Sequence, residues 1–293
     1  MAKKILVTGG AGFVGTNLIK LLLVKTNYKI ISLDNYSSGS KKNHIKSKRV
    51  KYIFGNTSDI EKKIKKPKEL NSIFHFGEFS RIFQSFLKMN ECLDSNSVGS
   101  NAVFNFCLKN KIKLIYSATS ASLGNLGDDK NLSPYAFSKA KNLEYLENLK
   151  KWFNLKYEII YFYNVYGSHQ ISTGSMSTVI GIFEHFYKNK KPLPVVKPGT
   201  QTRRFTHIED TINICYLAWK KNLCRHYSIA NKKSYSIIQV AKMFGSKIKY
   251  LPKRPGERYA SALINRNLKN NISKHFGKIS LKEYIDDFKK RIY

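Results

Sequence analysis

Short β-branched and aromatic runs alternate with longer amphipathic stretches through the first half of the chain. The runs Lys4 to Thr8, Lys29 to Asp34, Val50 to Gly55, Ser72 to Gly77, Lys113 to Ala118 and Tyr157 to Val165 read as strands. Between most of them apolar positions recur at helical spacing, most clearly over Phe13 to Lys25, Ser97 to Lys109 and Tyr135 to Trp152. Strand then helix, repeated, predicts an α/β fold built on a parallel sheet. After Gly167 the pattern loosens into helical stretches at Thr178 to Lys188, Glu209 to Lys221 and Ser236 to Phe244, with a proline-flanked segment from Pro192 to Pro198. The change predicts a first domain over 1–166 and a smaller lobe over 167–293, with some later segments returning to the first domain. No internal repeat or low-complexity tract interrupts the pattern.

Composition narrows the class. With 293 residues, 42% of them hydrophobic, the chain can bury a core without covalent staples, which excludes disorder throughout. Leu21 to Val24, the longest apolar stretch near the N-terminus, is far shorter than the roughly 18 to 20 residues of a membrane span. Met1-Ala2-Lys3-Lys4 runs into a strand and then glycines, so neither a signal peptide nor membrane association is expected. Cys92, Cys107, Cys215 and Cys224 show neither CxxC spacing nor disulfide-scaffold density; reduced thiols, a cytoplasmic location and no metal site are expected.

Charge leaves more open. Lys plus Arg number 52 against 19 Asp plus Glu, a net +33, which suits nucleic acid, an anionic surface or anionic small ligands. The lysines are spread along the chain, and the densest run, Lys62 to Lys68, lacks interleaved aromatics or a reading motif. A solvated basic surface is therefore expected, with no specific nucleic-acid partner, although non-specific phosphate affinity follows from the charge itself.

The first strand ends in Thr8-Gly9-Gly10-Ala11-Gly12-Phe13-Val14-Gly15, directly before an amphipathic helix. Glycines at 9, 12 and 15 permit a tight turn, close approach of backbone N–H groups to a pyrophosphate and close helix–strand packing, while the helix N-terminus favours anions. In the first βα turn this predicts a dinucleotide site. Asp34 ends the second strand, where a carboxylate accepts from an adenosine ribose, favouring NAD; Lys41, Lys42 and Lys46 nearby keep NADP open.

Ser133-Pro134-Tyr135-Ala136-Phe137-Ser138-Lys139 sets a Tyr and a Lys four residues apart, on one helical face after a proline suited to a helix start. An ammonium so placed lowers a phenol's pKa electrostatically. Tyr187 with Lys191 and Tyr216 with Lys220 repeat the spacing, but only the first pair follows a strand ending in hydroxyls, Tyr116-Ser117-Ala118-Thr119-Ser120-Ala121-Ser122.

Together the glycine turn, Asp34, the Thr-bearing strand and Tyr135-xxx-Lys139 resemble the extended short-chain dehydrogenase/reductase family. Downstream, Tyr163-Asn164-Val165-Tyr166-Gly167, Arg203 to Asp210 and Arg254-Pro255-Gly256-Glu257 are similar to motifs of its nucleotide-sugar epimerases. The resemblance implies a Rossmann-type doubly wound sheet, with NAD held by Gly9, Gly12, Phe13, Val14, Gly15, Asp34, Asn35, Asn56, Phe76, Gly77, Asn96, Tyr135 and Lys139. It makes Tyr135 the general base and acid, Lys139 the group that tunes it and holds the nicotinamide ribose, and Thr119 the hydroxyl on the sugar oxygen. For Asn96 a structural role stands equally open. Asn164, Arg203 and Arg254 match contacts to a nucleotide diphosphate, which guanidinium groups bind through charge-assisted hydrogen bonds. The implied activity is 4-epimerisation of UDP-glucose and UDP-galactose through a transient 4-keto sugar, with NAD regenerated each turnover. Relatives pair into homodimers, here through the helices at Ser97 to Lys109 and Tyr135 to Trp152.

Several positions depart from the pattern. Thr119-Ser120-Ala121 replaces the Thr-Asp-Glu of dehydratases, which argues against dehydration. The loop between Thr119 and Tyr135 is short, Leu123 replaces the usual Tyr before Gly124, and Asn56 stands where an Asp contacts adenine. His75-Phe76-Gly77-Glu78 departs from the usual His-hydrophobic-Ala-Ala. Ser261 beside Ala260 aligns with the bulky gate of UDP-galactose epimerases, so N-acetylhexosamines are expected to fit as well. Gly174-Ser175-Met176-Ser177 resembles a segment of ADP-heptose 6-epimerases, an alternative on the same scaffold. A non-catalytic dinucleotide-binding protein is the alternative of another class, disfavoured by the joint presence of Thr119, Tyr135 and Lys139.

Overall fold

The structure is a computed structural model that describes residues 3–122, 129–256 and 272–292. Its first half runs β1 (Lys4–Thr8), α1 (Phe13–Lys25), β2 (Lys29–Asp34), β3 (Val50–Phe54), α2 (Ile60–Lys63), β4 (Leu70–His75), α3 (Ile82–Leu87), α4 (Met89–Leu93), α5 (Ser100–Lys109), β5 (Lys113–Thr119), α6 (Pro134–Phe153) and β6 (Tyr157–Phe162). The second half adds β7 (Val165–Tyr166), α7 (Val179–Lys188), β8 (Leu193–Val196), β9 (Thr202–Arg203), β10 (Thr206–His207), α8 (Ile208–Lys221) and β11 (His226–Ala230). It closes with β12 (Tyr235–Ser236), α9 (Ile237–Phe244), β13 (Ile248–Leu251), β14 (Ile272–Phe276) and α10 (Leu281–Lys290).

One eight-stranded sheet, ordered β14-β11-β6-β5-β4-β1-β2-β3, organises the molecule, and its strands pair in parallel. Strands buried on both faces read as continuous apolar runs, which is why Ile5, Leu6 and Val7 are all fully buried. Leu6, Ile73, Leu114 and Ile159 face a core closed by α5 and α6, whereas Ile5, Val7, Phe74 and Ile160 face one closed by α1 and α8. Each such side chain contributes about 1.5–3 kcal/mol by leaving water. Strand order reverses between β1 and β4, the switch point beyond whose strand ends ligands of open α/β sheets bind.

Residues after Gly167 build a third core from Phe183, Leu193, Val195, Phe205, Val240, Phe244, Leu281 and Ile285. The chain also returns to the main sheet through β11 and β14. Asp210 Oδ2 fastens that return by accepting from the N–H groups of Lys278 at 2.9 Å and Ile279 at 3.1 Å.

The elements depart from the sequence pattern at several places. The run Tyr157 to Val165 is two strands: Asn164 takes φ +34°, which no strand accommodates, so β6 stops at Phe162 and β7 pairs with β10. The helix expected from Ser97 is regular only from Ser100, after a π-helical turn over Asp94–Gly99; a Cβ on Gly99 would lie 2.2 Å from Thr57 Oγ1. β11 escaped notice because His226 and Ser228 break its apolar run. Both are buried, with His226 held by Tyr161 Oη at 3.1 Å and Glu147 at 2.8 Å.

Candidate active site

The glycine turn is fixed by its own backbone. Gly9 has φ +68° and donates to Leu33 O at 2.9 Å, while Gly12 N–H donates to Gly9 O at 3.1 Å. A Cβ on Gly9 would meet Gly77 N at 2.8 Å across the crevice, and one on Gly15 would meet Gly9 O at 2.1 Å. Only hydrogen fits at these positions, so α1 starts directly against β1 and presents its free N–H groups at the strand end. Gly10 is equally constrained, since a Cβ there would stand 2.4 Å from Ser32 Oγ, a demand absent from the 9, 12, 15 spacing.

Asp34 borders this turn. Its Oδ2 accepts from Ala11 N–H at 2.9 Å and its Oδ1 from Tyr36 N–H at 2.8 Å. Burial pushes its carboxyl pKa up, and these hydrogen bonds oppose the shift. Asn35 and Asn56 meet beside it, Asn35 Nδ2 donating to Asn56 Oδ1 at 2.9 Å. Phe13 and Val14 open α1 and pack partly buried on the α1/α8 core, as does Phe76, whose ring meets Phe162 edge-on at 5.7 Å.

Phe76 and Gly77 also begin a directed chain of buried hydrogen bonds. Both N–H groups donate to Thr8 Oγ1, at 3.1 and 3.0 Å, so the Thr8 hydroxyl hydrogen is free for His75 Nδ1 at 2.7 Å. Burial drops His75 to a pKa of about 4, leaving it neutral with its hydrogen on Nε2, from which it donates to Ser100 Oγ at 2.9 Å. Ser100 in turn donates to Glu78 Oε1 at 2.8 Å.

Glu78 meets α6. Ser133 caps α6 by accepting from Ala136 N–H at 3.0 Å, and Pro134 occupies its first turn, as the sequence predicted. Tyr135 follows, half-buried, its N–H donating to Ser85 Oγ of α3 at 3.2 Å. One turn on, the buried Lys139 ammonium bonds Glu78 Oε2 and Ser117 O, 4.3 Å above the Tyr116 ring centroid. Burial lowers the Lys139 pKa and Glu78 opposes the shift. Arg81 joins this group: burial disfavours its charged form, and Tyr135 lies close enough to offset part of that penalty. Thr119 ends β5 alongside, its Oγ1 accepting from Ala121 N–H at 3.2 Å.

Asn96 is occupied inside the fold. Its Oδ1 accepts from Phe79 N–H at 2.7 Å, and its Nδ2 donates to Phe79 O at 3.1 Å and Ser138 Oγ at 3.2 Å, tying the loop after β4 to α6. The other Tyr/Lys pairs sit elsewhere: Tyr187 packs on Phe244 and Phe288, and Tyr216 on Trp219.

Of the residues matched to a nucleotide diphosphate, Asn164 has its Nδ2 buried with no hydrogen-bond partner among the described residues. Arg203 is buried in β9 and donates to Thr202 O at 2.8 Å. Arg254 stacks over Phe83 of α3 at 4.9 Å, which brings it to the helix whose Ser85 Oγ accepts from Tyr135 N–H. Ser261, Ala260, Glu257, Leu123 and Gly124 lie outside the described residues. Sequence reasoning missed Arg81, Ser85, Ser100 and Asn142, and met Glu78 only as a departure from pattern. The available signal was rarity, since an acidic residue directly after a buried strand stands out in a chain with 19 acids against 52 bases.

The sequence model of the NAD dependent epimerase/dehydratase family matches residues 5–269. The Methanocaldococcus jannaschii "Putative UDP-glucose 4-epimerase" is 28% identical over 233 residues, covering 75% of each chain. A Dictyostelium discoideum dTDP-D-glucose 4,6-dehydratase is 27% identical over 268 residues, 82% of this chain and 61% of that one. The fold is also that of the Thermotoga maritima UDP-glucose 4-epimerase solved with UDP-glucose: TM-score 0.83, 22% identity, 99% of this chain and 100% of that chain covered.

Proposed function

The chain belongs to the NAD dependent epimerase/dehydratase family, and from that premise we propose that it is a nucleotide-sugar 4-epimerase acting on UDP-hexoses. The observation that carries the reading is Tyr135 and the buried Lys139 one turn apart on α6, with the Lys139 ammonium on Ser117 O of β5, the strand that Thr119 ends. NAD fits the crevice on two grounds. A Cβ at Gly12 would meet only Gly9 O, at 3.2 Å, so the turn is open over that glycine for a pyrophosphate, and the Asp34 carboxylate stands at the end of β2 for a ribose. Bound there, NAD supplies the hydride acceptor that a sugar oxidation needs.

The chain's own residues supply the rest. Tyr135 takes the proton of the sugar 4-hydroxyl and returns it, and a neighbouring cation favours its phenolate. Thr119 orients the sugar oxygen. Lys139 has one N–H left after bonding Glu78 and Ser117 O, and directs it to a ribose hydroxyl. Arg203, Arg254 and the Asn164 amide, which has no partner among the described residues, hold the diphosphate, and the small residue type at Ser261 is the sequence ground for admitting N-acetylhexosamines. Dehydration is disfavoured because Ser120 and Ala121, buried in the 3-10 turn after Thr119, offer no carboxylate pair to remove a proton and protonate a leaving hydroxyl.

The test is proton NMR of the purified protein with UDP-galactose, UDP-GalNAc and ADP-heptose in separate samples. Conversion of a UDP-sugar at carbon 4 is expected, and Tyr135→Phe lowers it by about 100-fold or more, the contribution of a positioned general base. Absence of conversion of any UDP-sugar with added NAD overturns the reading; conversion of ADP-heptose alone replaces it.

A further inference from the structure

Glu78 is a carboxylate in a place that gives it no water, with a side chain only 3% exposed. Its Oε2 takes the Lys139 ammonium. Its Oε1 accepts from Ser100 Oγ at 2.8 Å, Tyr116 Oη at 3.0 Å and Asn142 Nδ2 at 3.2 Å. Asn142 also donates to Asn96 O at 2.6 Å, so β4, β5, α6 and the π-helical turn before α5 share one network. A buried charge is tolerated when it is paired and its lone pairs are filled, and breaking such a pair is costly.

The pairing has an electrostatic consequence at Tyr135. An ammonium bonded to a carboxylate presents a dipole, not a net charge, to a phenol one helical turn away, and the field of a dipole falls off faster than that of an ion. Arg81 is differently placed. Its Nε donates to Met176 O at 2.9 Å and Ser177 O at 3.2 Å, and its Nη1 to Ser80 O at 2.9 Å and Ser80 Oγ at 3.3 Å. No carboxylate pairs with it among the described residues. The other ionisable groups around Glu78, Lys139 and Tyr135 are His75 on β4, Tyr116 on β5 and Cys92 on α4. Burial keeps all three neutral near pH 7: it lowers His75 to about 4, lifts Cys92 to about 11 and pushes Tyr116 well above its usual range.

Building on the sugar chemistry proposed above, we propose that Glu78 is a positioning residue that clamps Lys139 and cancels its charge toward Tyr135, leaving Arg81, among the described residues, to favour the Tyr135 phenolate. Lys139 then acts chiefly as a fixed hydrogen-bond donor, and the protonation of the base is governed from the loop after β4.

The test follows Tyr135 directly, by 13C NMR of the full chain labelled at the tyrosine ring Cζ, with Tyr135→Phe assigning the resonance. Glu78→Gln unmasks the ammonium and is expected to lower the Tyr135 midpoint by about one pH unit; Arg81→Gln raises it by a similar amount. Glu78→Asp withdraws the carboxylate by one methylene, shifts the midpoint less in the same downward direction, and decides the matter if Glu78→Gln does not fold. The acidic limb of kcat/KM against pH moves with the midpoint. A midpoint unmoved, or raised, in the Glu78 variants overturns the proposal. Shifted midpoints in a protein that converts no sugar would sustain it while ending the epimerase reading; wild-type conversion with unmoved midpoints would do the reverse.

Discussion

The two sides of the crevice are built by different means. On the cofactor side, backbone meets backbone: Gly9 faces Gly77, Gly15 faces Gly9 O, and Asp34 is pinned by the N–H groups of Ala11 and Tyr36. On the side proposed for the substrate, long side chains do the work, with Arg81 reaching Met176 and Ser177 and Arg254 lying over Phe83. A rigid strand-to-helix turn fixes the first from a few consecutive residues, whereas segments distant in sequence assemble the second. The first therefore tolerates no added atom, and the second can change its ligand without changing the fold.

The largest effect that separates the two belongs to Gly15→Ala. A methyl 2.1 Å from Gly9 O forces α1 away from β1, and overpacking of this kind costs about 3 kcal/mol or more. Urea unfolding should show that loss together with loss of NAD binding. A variant of wild-type stability would mean that the turn is looser than its contacts require.

The next effect tests the wire from the cofactor side to Glu78. His75 takes up a proton near pH 6.5 when unfolded but only near 4 when buried, so the unfolded chain binds more protons in between. The stabilisation is complete above about 6.5 and is lost as pH falls toward 4. By pH 5 about 2 kcal/mol is lost relative to pH 7. His75→Gln, which has no proton to gain, should flatten this slope in urea titrations; an equal slope in the variant would assign it to other groups.

The same contrast governed what the sequence disclosed. The glycine turn, Asp34, and the Ser133-Pro134-Tyr135 helix start were legible because each rests on local backbone rules, and the structure places them where those rules require. The Glu78 network was not, because its members come from β4, β5, α5 and α6 and meet only through the sheet order. Asn96 stood between two readings for the same reason, its amide being satisfied by Phe79 and Ser138, 17 and 42 residues away. Strand β11 was hidden by polar residues whose partners, Tyr161 and Glu147, no periodicity reveals.

On the substrate side a glycine should be nearly dispensable. Gly174 has φ +81° with open space around its Cβ position, so Gly174→Ala pays only for a left-handed backbone, about 1 kcal/mol. Melting curves of Gly15→Ala and Gly174→Ala thus measure the difference between the two sides; equal losses would erase it.

The smallest effect asks whether Arg254 serves the fold or a ligand. Its guanidinium lies 4.9 Å from the Phe83 ring centroid, an arrangement worth about 0.5–1 kcal/mol. Arg254→Ala should therefore lower the melting midpoint by about 1–4 °C in the absence of ligand. On the proposed function, saturating UDP should raise the wild-type midpoint by binding only the folded chain, and a phosphate contact from Arg254 would make that increment smaller in the variant. If the increment is unchanged, Arg254 belongs to the packing of α3 alone, and Asn164 and Arg203 carry the diphosphate without it.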